Sequence, residues 1–163
     1  MELVGAAWLP WLERTRVAVA MRESTWLYPT VEIAHILGFV VLVGAAAMFD
    51  LRLLGLTRAL PVTALARHLL PWARLGLALA APTGVLMFIA EATTTAANPA
   101  FQLKLTLIAL AILNTLVFHR WAFKSVKHWD RETATPPSAK AAAVISLTLW
   151  TTVIACGRLI AYV

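Results

Sequence analysis

Apolar residues run along this chain in four stretches, each long enough for a helix that crosses a membrane, which needs about 20 apolar residues. The stretches cover about residues 29–56, 69–90, 101–123 and 141–162. We find no ten-residue segments of alternating polarity, the pattern of membrane β-strands. The pattern predicts an all-α fold, an integral membrane up-down four-helix transmembrane bundle.

The segments between the stretches are short and contain helix-breaking residues. Pro61, Asn98-Pro99 and Pro136-Pro137 fall where a helix should stop. The composition agrees, because 61% of the residues are hydrophobic and only 13% are charged, values outside the range of soluble domains. We therefore expect one transmembrane domain over residues 26–163.

Residues 1–25 are expected to form an interfacial amphipathic helix that covers one end of the bundle. Pro10 interrupts the apolar residues, and Glu13 follows them, so this segment is too short to span a membrane. Trp8 and Trp11 are the predicted interfacial anchors.

Lys and Arg residues predict the orientation. Eight flank the first and third loops, against three on the opposite side, Arg14, Arg16 and Arg22; the eight are Arg52, Arg58, Arg67, Arg120, Lys124, Lys127, Arg131 and Lys140. The positive-inside rule then places both termini in the periplasm of a bacterium, with the chain in the inner membrane. The net charge of +6 reflects topology and contact with the lipid bilayer, so no nucleic-acid partner is expected.

Ionisable residues inside the spans are the candidate functional residues, because each is costly in lipid. They fall into two layers. The outer layer contains Glu32, His35, Glu91, Lys104 and Arg158, and the inner layer contains Asp50, Arg52, His68, Arg74, Asn114 and His119. We expect the outer acids to compensate the outer bases, and Asp50 or a ligand's carboxylate to pair with Arg74.

Histidines on membrane helices are typical axial ligands of haem b, with basic side chains available for the propionates. His35 lies 15 residues from Asp50, or about 22 Å along a helix, so His35 and His119 cannot bind one iron. His68 and His119 lie in the same layer and could both bind one iron. The candidate cofactor-binding residues are His35, His119, His68, Arg74, Arg158 and Lys104, with His35 and His119 as the candidate metal ligands.

Three functions fit these residues. The first is a haem b subunit that passes electrons between quinol and a periplasmic redox partner. The second is a transport or metal-handling protein with a polar site at Glu32 and His35. The third is a non-catalytic subunit of a larger membrane complex. The small residues Gly76, Ala80 and Gly84 would pack helices within the bundle or across a homodimer.

Several motifs together resemble one known family. They are Trp26-Leu27-Tyr28-Pro29 with Glu32 and His35, Asp50-Leu51-Arg52-Leu53-Leu54-Gly55-Leu56, Pro71-Trp72, Asn98-Pro99-Ala100-Phe101 with Lys104, Asn114 with Phe118-His119, Trp129-Asp130 and Gly157-Arg158. The chain is similar over nearly its whole length to DUF6644, small four-span bacterial inner-membrane proteins of unknown function. The resemblance implies no activity. It draws attention to Glu32, His35, Asp50, Arg52, Lys104, Asn114, His119 and Arg158, and it leaves His68 outside the family pattern.

Overall fold

Four long helices confirm the predicted all-α architecture. The computed structural model describes residues 8–162, and this part of the chain contains no β-strand. Each long helix is apolar enough to cross a membrane. They are α3 (Leu27–Leu54), α4 (Val62–Ala90), α6 (Pro99–Arg120) and α7 (Pro137–Leu159).

Four shorter helices connect and flank the spans. Two of them, α1 (Trp8–Glu13) and α2 (Arg16–Glu23), form the described part of the predicted interfacial segment, whose residues 1–7 lie outside the described chain. Two others were not expected from the sequence: α5 (Ala92–Ala97) and a 3₁₀ helix (Ala122–His128).

Helix α4 begins well before the apolar stretch that predicted it, at Val62 rather than near residue 69. Its 29 residues extend about 43 Å, more than the roughly 30 Å hydrocarbon core. The first two turns therefore project beyond the apolar layer, and the helix continues through Pro71 and Pro82.

The spans form two closely packed pairs. Helix α3 packs along α4, α6 packs along α7, and α3 also contacts α7, whereas α4 and α6 make no extended contact. Alternating direction puts both ends of the described chain on one side, here called the terminal side. The opposite side, called the basic side, carries the α3–α4 and α6–α7 connections and most of the Lys and Arg residues.

The stripe of small residues on α4 packs inside the chain, against α3. A Cβ atom on Gly76 would lie 2.6 Å from the Gly38 carbonyl oxygen, and one on Gly84 would lie 3.0 Å from Cε1 of His35. The two backbones can approach this closely only because side chains are missing. The stripe is therefore an intramolecular contact between α3 and α4.

Hydrogen bonds to the backbone tie the connections together on the basic side. The Arg52 guanidinium, 2% exposed, donates to the carbonyl oxygens of Leu60 at 2.7 Å, Asp130 at 3.0 Å and Arg58 at 3.3 Å. The Asp130 carboxylate accepts from the backbone N–H and the hydroxyl of Thr63, at 2.7 and 2.8 Å. Asp130 thus caps the α4 N-terminus from a distant segment.

The N-terminal helices cover the terminal side. Leu9 is 1% exposed and packs on Ala92 and Ala96 of α5. Arg22 donates to the Ala90 carbonyl at 2.6 Å, and Glu13 accepts from the Thr93 N–H at 2.7 Å. These contacts satisfy backbone groups at the α4–α5 junction.

Candidate functional site

A cavity of about 120 Å³ lies between all four spans, in the basic half of the bundle. Apolar side chains form most of its wall, and a small set of polar groups faces into it. The polar lining residues are Asp50 of α3, Asn114, Thr115 and His119 of α6, and Ser146 of α7, with the indole of Trp150 beside them. Few polar groups in an apolar wall are typical of small-molecule sites.

Asp50 is the carboxyl group in this cavity. It is 6% exposed, its polar neighbour is the hydroxyl of Ser146, and its Oδ2 atom has no hydrogen-bond partner among the described residues. A buried oxygen without a partner is costly, and a ligand that donates a hydrogen bond would relieve that cost.

His119 faces the same cavity with one ring nitrogen already occupied. Its Nδ1 lies 2.8 Å from the carbonyl oxygen of Thr115. Since a carbonyl only accepts, Nδ1 carries a proton, and Nε2 of the neutral ring keeps a free lone pair. Asn114 is fixed on the other side by donation from its Nδ2 to the Ala142 carbonyl, at 3.0 Å.

Helices α4 and α6 both line the cavity but make no extended contact with each other, which leaves a gap between them toward lipid. Thr115 lines it and is itself exposed. Toward the terminal side the gap closes where Phe88 of α4 stacks on Phe101 of α6, with ring centroids 5.4 Å apart. Toward the basic side it is closed by a buried apolar cluster that includes Val62 and Trp129. The opening is therefore lateral, toward the bilayer core.

Aromatic rings connect the cavity to His35. Trp150 lines the cavity and meets Phe39 edge to face at 5.9 Å, and Phe39 stacks on His35 at 6.4 Å. His35 Nδ1 donates to the Ala80 carbonyl at 2.9 Å and lies 3.2 Å from the Thr83 hydroxyl. As in His119, Nε2 is left free.

Lys104 of α6 lies near His35, close enough for its charge to act on the imidazole. Its Nζ atom lies 3.6 Å from the place that a Cβ atom on Gly157 would occupy. Cys156 is buried next to that glycine and lies within electrostatic range of the ammonium group. All four spans thus contribute to this second polar region, in the terminal half.

The remaining predicted site residues do not line the cavity, and one of them, Glu32, lies within electrostatic range of His35. They are exposed: Glu32, His68, Arg74, Glu91 and Arg158. Arg158 donates to the hydroxyl of Tyr162 at 2.5 Å and lies over that ring. His68 is not among the cavity-lining residues, so the structure does not bring it into the cavity with His119.

The expected ion pairs do not form. In residues 8–162 the ion pair present joins Arg131 to Glu132, so Asp50 does not pair with Arg74, and Glu32 and Glu91 do not pair with Lys104 or Arg158. The physical reason is that Arg74 turns outward while Asp50 turns inward. Arg52, another predicted site residue, donates through Nε and Nη2 to backbone carbonyls, and its buried Nη1 has no partner among the described residues.

Some residues of these regions were not predicted from the sequence. Ser146, Thr83 and Trp150 come from apolar stretches and carry no charge, so only their polarity within a span could have singled them out. Within the described chain, no three His, Cys, Asp or Glu side chains are grouped as metal ligands. A metal site made by this chain alone has no support in residues 8–162.

These helices, with a lateral cavity in their midst, define a multi-pass membrane protein with four spans. The chain belongs to a family of unknown function, DUF6644, whose model matches residues 9–163, as its motifs predicted. No curated protein and no solved structure matches it.

Proposed function

We propose that this protein binds the ring of a lipid-soluble redox carrier of the quinone class in the cavity and works as a redox subunit of the bacterial inner membrane. The observation that carries the proposal is one cavity holding a buried carboxyl oxygen and an imidazole Nε2, neither of which has a hydrogen-bond partner among residues 8–162. Ionisable groups inside a membrane protein are functional candidates by default.

The size of the cavity favours a single ring. At about 120 Å³ the cavity is somewhat smaller than the roughly 150 Å³ cavity that takes up benzene, so it holds no more than one ring, whose substituents would extend into the opening. The lateral opening suits a ligand that arrives from the bilayer with an apolar tail. Asp50 and His119 would meet the two oxygens of the ring.

The chemistry follows from those two groups. Oxidation of a quinol breaks two O–H bonds and releases two protons and two electrons. Asp50 and His119 accept the protons as general bases, and the electrons pass to a redox partner that takes them one at a time. With the orientation that the basic residues predict, the cavity lies in the cytoplasmic half of the bundle, so a periplasmic partner would receive the electrons across the terminal half.

Haem b held by this chain alone has less support. His35 favours it, because its Nδ1 is anchored on a carbonyl and its Nε2 is free. However, the described residues offer no second histidine at that depth, and the cavity is too small for a porphyrin and lies beside His119. The residues do not fit a haem without a ligand from a partner subunit, so we place the one-electron carrier on the partner.

Binding of decylubiquinol, the reduced form whose two hydroxyl groups can donate to Asp50 and His119, to the purified protein in detergent tests the proposal. We expect saturable quenching of tryptophan fluorescence, since Trp150 lines the cavity. Asp50→Leu and His119→Leu should each weaken binding about tenfold, the loss of one buried hydrogen bond. His68→Leu is the matched control and should bind like the wild type, because His68 lies outside the cavity lining.

Equal affinity in all four proteins would overturn the proposal. Oxidised and dithionite-reduced absorption spectra of the same preparations, from haem-replete cells, decide the haem question separately. A haem absorption band that is present in the wild type and absent in His35→Ala would show that this chain binds haem b.

A further inference from the structure

Lys104 is a half-buried cation without an acidic partner in the described chain. It lies five residues after Pro99, the first residue of α6, so it is about 7.5 Å from the helix start. No hydrogen bond or ion pair from its ammonium group is found within residues 8–162. A charged group inside a span normally faces a compensating partner.

The acids that are close to Lys104 in depth form no ion pair with it in the described structure. Glu32 and Glu91 are the acidic residues of the terminal half of the spans, and both are exposed and outside any ion pair in the described structure. Glu32 acts on the imidazole of His35 but leaves Lys104 without an ion pair, so the charge that would pair with Lys104 comes from outside the described chain.

The surroundings of Lys104 leave room for such a group. Gly157 presents no side chain to the ammonium, and a Cβ atom added there would lie 3.6 Å from Nζ. His35, within electrostatic range, keeps its Nε2 free because Nδ1 is bound to the Ala80 carbonyl. One fixed cation and one imidazole that can take a proton thus face the same region from α6 and α3.

We propose that Lys104 and His35 bind the anionic group, carboxylate or phosphate, of an amphiphile lying in the leaflet on the terminal side. Lys104 supplies the charge and His35 a second donor through Nε2–H. The exposed apolar surface of the spans contacts the chain of the amphiphile. This site is separate from the central cavity and does not depend on quinone binding.

Binding of laurate and dodecyl phosphate in dodecyl maltoside micelles tests this site, with dodecanol as the neutral ligand control. We expect both anions, but not dodecanol, to raise the Tm of the wild type. Lys104→Met should weaken their binding at least about tenfold, the effect of losing a charge-assisted hydrogen bond. Lys104→Arg should retain it, and so should Arg158→Met, whose guanidinium is already bound to Tyr162.

A second pair of variants covers the case in which Lys104→Met does not fold. Gly157→Leu fills the space beside Nζ, whereas Ala155→Leu adds the same bulk at an exposed position of α7. Only Gly157→Leu should abolish anion binding.

Native mass spectrometry from nanodiscs then distinguishes the two possible sources of the anionic group. Retention of phosphatidylglycerol over phosphatidylcholine identifies a lipid headgroup, and a response to laurate alone identifies a free carboxylate. Anion binding unchanged by Gly157→Leu, or an equal response to dodecanol, would overturn the proposal.

Discussion

Asp50 and Arg52 are two positions apart in one motif and have opposite roles. Asp50 faces the cavity with an oxygen that no described group satisfies, whereas Arg52 donates through Nε and Nη2 to the carbonyls of Leu60, Arg58 and Asp130 and leaves only Nη1 without a described partner. The sequence marks both as charged residues in a span. It does not show that Arg52 contacts the connecting segments and that Asp50 faces the cavity, because those segments approach Arg52 only in the folded bundle.

Arg52 is expected to stabilise the fold rather than take part in binding. Arg52→Met removes hydrogen bonds from three carbonyls and should lower the free energy of unfolding by about 2–4 kcal/mol, since bonds to charged groups contribute about 1.5–3 kcal/mol each and the carbonyls can partly rehydrate. Thermal unfolding in detergent measures this loss. Arg67→Met, an exposed arginine on the same side, is the control. An Arg52→Met protein as stable as that control would contradict the structural role.

At the scale of elements, the apolar stretches predicted which helices exist but not how they pair. A membrane span can be predicted from its length and hydropathy alone, so all four spans were predicted. Helix α5 and the 3₁₀ helix were not, because six or seven residues leave too short a pattern. The gap between α4 and α6, which makes the cavity accessible, depends on the α3–α4 and α6–α7 contacts and has no local signal.

The close α3–α4 contact makes the glycines there irreplaceable. A Cβ atom on Gly76 would lie 2.6 Å from backbone atoms of Gly38 and Leu42, and backbone cannot move aside cheaply. Gly76→Ala should therefore lower stability by about 1–3 kcal/mol or more, the usual cost of overpacking, measured as a lower Tm in detergent.

Gly44 provides the matched control on α3. A Cβ atom there meets nothing within 4 Å, so Gly44→Ala should leave stability unchanged or raise it by up to about 1 kcal/mol through helix propensity. If both variants lost stability equally, the contact would not be the cause. If Gly76→Ala unfolded like the wild type, the α3–α4 packing described here would be wrong.

On the scale of the whole molecule, the distribution of charge predicts the orientation in the membrane. Eight basic residues flank the connections on the basic side and three lie near the N-terminus. Arg52 and Arg22 donate hydrogen bonds to backbone carbonyls. Without these two residues, seven basic residues on the basic side stand against two on the terminal side. Lys104 and Arg158 lie inside their spans in the terminal half. Counting them as well gives seven against four, so the excess of basic residues remains on the basic side.

Reporter fusions in a Gram-negative bacterium measure this orientation. The positive-inside rule predicts that alkaline phosphatase fused after residue 163 is active and that green fluorescent protein at the same place is dark. An insertion in the exposed connection near Thr133 should give the reverse result. A fluorescent C-terminal fusion with an inactive phosphatase would place the termini in the cytoplasm. The lateral cavity would then lie in the periplasmic half of the bundle, and protons released there by Asp50 and His119 would leave on the periplasmic side.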